Sequence, residues 1–171
     1  MKMKLQSNKL KVRVGRTLEG TIFEIAFLVL AILVWAFIVW LMSRAPDTVP
    51  THFNLEGKAD SWGSPTTILF PCIITTVVGA GLLLAAYFPH TINIPVEVKT
   101  PRQVSLVIRM ARVMALELLL LTLVIALVTL GSSIGLEPGI IAPVFIVVGV
   151  LSLTCIIFTV LIYRAGTQPK S

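Results

Sequence analysis

Between Pro46 and Pro65 the chain reads Pro-Asp-Thr-Val-Pro-Thr-His-Phe-Asn-Leu-Glu-Gly-Lys-Ala-Asp-Ser-Trp-Gly-Ser-Pro. Nitrogen and oxygen donors gather here: Asp47, His52, Asn54, Glu56 and Asp60, with Trp62 close behind. Such groups serve three chemistries. His52 and Asp60 could form an acid–base dyad, but the only nucleophiles beside them are Thr51, Ser61 and Ser64. No GxSxG, HExxH or phosphate-cradling glycine loop accompanies them, so an enzyme is not expected. Metal binding needs a ligand spacing that the stretch lacks, and neither a metal nor a cofactor is expected. Recognition remains, with Asp47, His52, Asn54, Asp60 and Trp62 as the ligand-binding residues of an exposed loop.

A second polar set lies in apolar sequence. Glu117 is the single charge between Val113 and Gly131. Counted along a helix it falls about 3 Å from the middle of that run. A charge there costs roughly 2.5–3.5 kcal/mol in hydrocarbon. Arg112, five residues earlier, is about 140° round the helix and a poor partner. Thr75, Thr76, Ser152 and Thr154 share the depth of Glu117 and are its candidate partners. The set reads either as a polar clasp between helices, worth about 0.6–2 kcal/mol per hydrogen bond, or as a proton-linked core.

Both sets need helices to position them, and composition says which kind. Charged residues make up 13% of the 171 residues, hydrophobic residues 56%, and mean hydropathy is +0.95. An ordinary soluble domain carries about 25% charged residues. Disorder is excluded by hydrophobicity and a disulfide scaffold by having only two cysteines. Nucleic-acid binding is excluded by where the net charge of +6 sits. Ile25–Met42 has no charged, hydroxyl or amide side chain, and 65–88 and 140–163 carry no charge. Each run approaches the ~20 residues that cross a bilayer as a helix. Spans are therefore expected near 20–43, 65–88, 107–131 and 140–164. The alternation of a membrane β-barrel is absent. The expected fold is an all-α, four-helix transmembrane bundle embedded in the lipid bilayer of the cell membrane.

Basic residues orient it. Twelve of the 14 Lys and Arg lie in the N-terminal tail, in the second connection with the start of span three, and at the C-terminus. Only Arg44 and Lys58 lie in the first and third loops. By the positive-inside rule both termini face the cytoplasm. The parts are then a basic cytoplasmic tail (1–19), two spans with an outer loop (20–88, loop 44–64), a cytoplasmic loop (89–106), a second helical pair (107–164) and a tail (165–171). His90 falls on the cytoplasmic side, away from His52. Ser43-Arg44-Ala45 resembles a cleavage site, but the preceding apolar run is longer than a signal-peptide core, and it reads as an uncleaved span. Cys72 and Cys155 lie on opposite sides of the midplane and are expected to stay free thiols.

Local signals mark the ends. Thr21 with Glu24, and Thr100 with Gln103, read as capping boxes, the second with Pro101 at the first helical position. Ser64-Pro65 opens span two. Pro89, Pro95 and Pro101 predict an extended inner loop. In the outer loop, Asn54 to Gly57 and Asp60 to Gly63 each carry a turn signature, and Glu137-Pro138-Gly139 turns into span four. Phe53, Leu55 and Trp62 are expected to pack the outer loop onto the bundle. Thr75/Gly79, Thr76/Ala80 and Gly81/Ala85 predict close helix packing along span two, within the chain, in a homo-oligomer or with another membrane protein. Pro71 and Pro143 lie in the outer halves of their spans, where bends would open a vestibule.

The outer-loop stretch resembles a bacterial and archaeal membrane family defined by a domain of unknown function, shared with the sporulation-delaying-toxin immunity proteins. The family pattern is matched at Pro46, Asp47, Pro50, His52, Phe53, Asn54, Gly57, Asp60, Trp62, Gly63 and Ser64. Pro65 stands where the family usually has Lys. The resemblance covers about 20–88. It implies an integral membrane protein and, for some relatives, protection against a secreted toxic peptide with a signal to a cytoplasmic repressor. Together these features predict a binding, sensing or immunity-like module that meets a peptide or small ligand at its outer loop and a protein partner in the cytoplasm. The alternatives are a small proton-linked transporter using Glu117, and a structural partner of another membrane protein.

Overall fold

The computed structural model describes residues 14–54, 56–136 and 142–167. Four helices are long and apolar enough to cross a membrane. They are α1 (Leu18–Met42), α2 (Leu69–Ala85, entered through a 3-10 turn at Pro65–Ile68), α3 (Pro101–Leu130) and α4 (Ala142–Thr167). The expected spans are met within a few residues, and α3 starts ahead of its span at Pro101, where its capping box places it. Its start follows from its cap: Thr100 Oγ1 accepts from Gln103 N, Gln103 reaches back to Thr100 N, and Pro101 fills the first position. Pro89–Thr91 forms a short 3-10 turn in the connection that was expected to be extended. The turn expected at 137–139 lies outside the described residues, as does Leu55.

One expectation at α1 needs correction. The helix is capped by Thr17, whose Oγ1 accepts from Gly20 N at 3.1 Å, so Thr21 lies inside the helix and no box forms with Glu24. Glu24 instead accepts the Tyr87 hydroxyl, which holds that phenol above its ordinary pKa. The ion pair at this end is Glu19 with Arg109, at 3.0 and 3.2 Å.

α3 is the hub, packing on each of the other three helices and burying residues from Gln103 to Leu130. Three apolar clusters run along it. Ala86, Ile108 and Ala111 pack at the end that carries the tails. Phe27, Ala115 and Leu119 form the middle. Ile38, Leu41, Ile68, Cys72, Ala126 and Leu130 close the other end. Polar ties cross between them: Trp35 Nε1 donates to Thr76 Oγ1 at 3.1 Å, and Thr75 Oγ1 meets Thr122 Oγ1 at 2.7 Å. Cys72 is buried and Cys155 exposed, and both are free.

The Thr75/Gly79 face is occupied inside the chain. A Cβ on Gly79 would stand 3.0 Å from Phe27 Cε2 and 3.1 Å from the Ala115 carbonyl oxygen, whereas Gly81 has open space. Gly79→Leu is therefore expected to destabilise the bundle itself by about 1–3 kcal/mol, since a backbone atom cannot yield to the added volume. Thermal unfolding in detergent would show it as a lowered midpoint, and an unchanged midpoint would refute the packing.

The fold is not wholly α. The loop between α1 and α2 holds an antiparallel hairpin, β1 (Val49–Phe53) with β2 (Ala59–Gly63). The turn signature at Asn54 is realised: Gly57 N donates to Asn54 O, Asn54 Oδ1 accepts from Glu56 N and Lys58 N, and Gly57 takes a positive φ of 81°. The one at Asp60 is not, because residues 60–63 are strand.

Candidate functional site at the hairpin end

The hairpin is nailed down by one residue. Val49 is fully buried among Ile38, Leu41, Ile68 and Leu130, and Pro50 beside it is buried too. Phe53 is half-buried, while Trp62 stays 55% exposed, so it does not pack the loop down as expected. The Val49 anchor leaves the hairpin's polar residues exposed.

Two bulges shape the hairpin. The register steps from Pro50↔Trp62 to His52↔Ser61, which leaves Thr51 extra on β1; it returns at Phe53↔Ala59, which leaves Asp60 extra on β2. A bulge re-aims the side chain it carries. Here the Asp60 carboxylate comes to 2.5 Å from His52 Nδ1. The pair is exposed, at 69% for the His52 side chain and 44% for Asp60. An exposed ion pair contributes little to stability, about 0–1 kcal/mol.

Below β1 opens a cleft of about 300 Å³. Its wall includes Thr51 and Phe53 of the hairpin, Ile68 and Pro71 entering α2, Thr129 of α3 and Val144 of α4. Of the two prolines expected to open a vestibule, Pro71 lines this cleft. The lining is apolar with a few hydroxyls, the kind of surface that takes a hydrocarbon or apolar side chain.

The other predicted residues divide. Asn54 is committed to the turn, and Glu56 pairs with Lys58 at 3.2 Å. Asp47 is exposed and joins neither His52 nor Asp60 through any hydrogen bond. Thr51 Oγ1 faces Ser61 Oγ at 3.4 Å, and Ser64 caps the turn into α2 by accepting from Thr66 N.

The Glu117 set also divides. Thr154 Oγ1 donates to Glu117 Oε1 at 2.6 Å and ties α3 to α4. Ser152 turns outward and bonds back to Val148 O, and Thr75 and Thr76 serve α3 and α1 instead. Glu117 Oε2 is enclosed with no hydrogen-bond partner among the described residues. Gln103, expected only as the capping partner of Thr100, is 2% exposed and also reaches α4, which the sequence did not announce. Its Oε1 accepts from Lys99 N and Thr100 N, and its Nε2 donates to Glu97 O and to Ile162 O of α4.

No curated protein and no solved structure matches this chain. Over residues 29–76, which take in most of α1, the hairpin and the start of α2, the chain matches the family model of a domain of unknown function, DUF1648.

Proposed function

We propose that this protein is an integral membrane recognition module whose hairpin faces the outside and whose termini face the cytoplasm. The observation that carries this reading is the His52–Asp60 pair: aligned by a bulge, held on an anchored platform, and left exposed on a hairpin whose Thr51 and Phe53, either side of His52, line an apolar cleft. A pair needed only for folding would be worth little at that exposure. The ligand that fits is amphipathic, with a polar or charged group for His52 and Asp60 and an apolar part for the cleft. A secreted peptide meets that description, in keeping with the resemblance to immunity proteins, and the basic face supports contact with a cytoplasmic protein. Thr51 and Ser61 face each other, and Ser64 bonds within the turn into α2. A photo-crosslinking residue at position 51, on the cleft rim, should trap a ligand in growing cells and trap none when His52→Ala is added. Equal capture in both would overturn the reading.

The enclosed, unpartnered Glu117 Oε2 favours a second reading, proton-linked transport. Glu117→Gln separates the two. An amide oxygen still accepts from Thr154, so thermal stability should stay within about 1 kcal/mol, because the interhelical bond itself is worth only about 0.6–2 kcal/mol. Recognition at the hairpin should be untouched. Loss of proton flux in reconstituted vesicles, with the fold intact, would instead establish transport.

A further inference from the structure

Arg112 is buried at 4% exposure and meets no carboxylate. Its guanidinium lies against the first turn of α1, where a Cβ on Gly20 would overlap Nη2. In that turn Thr17 Oγ1 takes the Gly20 N–H, while the Leu18 and Glu19 N–H groups find no acceptor among the described residues and stand at the positive end of a 25-residue helix dipole. Two positive features thus face each other. Glu19 is engaged by Arg109, and Glu24 takes the Tyr87 hydroxyl. Among the described residues Arg112 makes no hydrogen bond or ion pair. Residues 1–13 contain no Asp or Glu. A guanidinium cannot shed its charge, and burying it unpaired is costly. An anion with several oxygens answers both features at once, accepting from helix N–H groups and from the guanidinium fork.

We propose that the first turn of α1 and Arg112 form a phosphate site that holds the headgroup of an anionic phospholipid. A lipid is favoured over free phosphate by position. The apolar run of α1 begins immediately after this turn, which puts the site at headgroup depth. The same end gathers Arg16, Lys99 and Arg102, and a cleft of about 540 Å³ lined by Val14, Gly15, Arg16, Leu84, Tyr87 and Phe88 opens there.

The test is native mass spectrometry of protein released from nanodiscs of equimolar phosphatidylglycerol and phosphatidylcholine. Wild type should retain phosphatidylglycerol in preference. Arg112→Gln should lower that retention by about tenfold, the scale of a lost charge-assisted fork. Arg164→Gln, exposed on the last turn of α4, should not. Gly20→Ala, benign for a helix but displacing the guanidinium, should lower retention too and serves where Arg112→Gln fails to fold. Retention at the wild-type level in both site variants would overturn the proposal. Displacement of the lipid by inorganic phosphate, with equal stabilisation, would overturn the lipid assignment. Neither outcome bears on His52.

Discussion

Replacing Gln103 with leucine is expected to destabilise the protein by about 3 kcal/mol, as several buried polar groups lose their partners at about 1–3 kcal/mol each before relaxation. One side chain holds the Lys99 and Thr100 amides, the Glu97 carbonyl and the Ile162 carbonyl. Leucine fills the space and satisfies none of them. The damage should be directional. α4 packs on α3 far more than on any other helix, and Gln103 is its tie at the tail end, where a Cβ on Gly166 would already overlap the amide. Protease cleavage near 97–100 and at the end of α4 should therefore rise before the other helices yield. Gln103→Glu keeps the acceptor and loses the donor, so its loss should be intermediate. A leucine variant as stable as wild type would show that the α3–α4 contact stands without the clasp.

What the sequence made legible follows from which properties are one-dimensional. The spans were, because charge-free runs and hydrocarbon thickness are both lengths. The Thr100 box was, because its partners sit three residues apart. Helix phase was not. Glu19 and Glu24 stand five residues apart, about 140° round a helix, and only the packing of α1 on α3 gives Arg109 to the first. Ser152 and Thr154 differ by two residues, about 200° round a helix, so one meets Glu117 and the other faces outward. The hairpin was hidden because its strands, Val-Pro-Thr-His-Phe and Ala-Asp-Ser-Trp-Gly, are poor β sequences with Pro, Asp and Gly in them. Their pairing rests on the Val49 anchor and the Asn54 turn. The one available signal was that turn, sitting midway between two five-residue arms. The His52–Asp60 pairing was foreseen only as a candidate dyad; its geometry depends on two bulges that no residue pattern announces.

The second large effect is expected at that pair. His52→Ala and Asp60→Ala should each abolish ligand retention, at least about tenfold if the pair makes one charge-assisted contact with the ligand. Stability should move by no more than about 1 kcal/mol, because the pair is exposed and Val49 and Pro50 keep the hairpin in place. The separation is the point: a structural pair loses both together, and a recognition pair loses only binding. Asp47→Ala should do neither, since Asp47 stands apart from His52 and Asp60.

The most direct measurement is native mass spectrometry of gently solubilised protein, with wild type beside His52→Ala and Asp60→Ala at matched thermal stability. A species bound to wild type and missing from both variants is the predicted result, and its mass would give the ligand's class. Equal occupancy in all three proteins, or variants that unfold and are degraded, would contradict a recognition site at the hairpin.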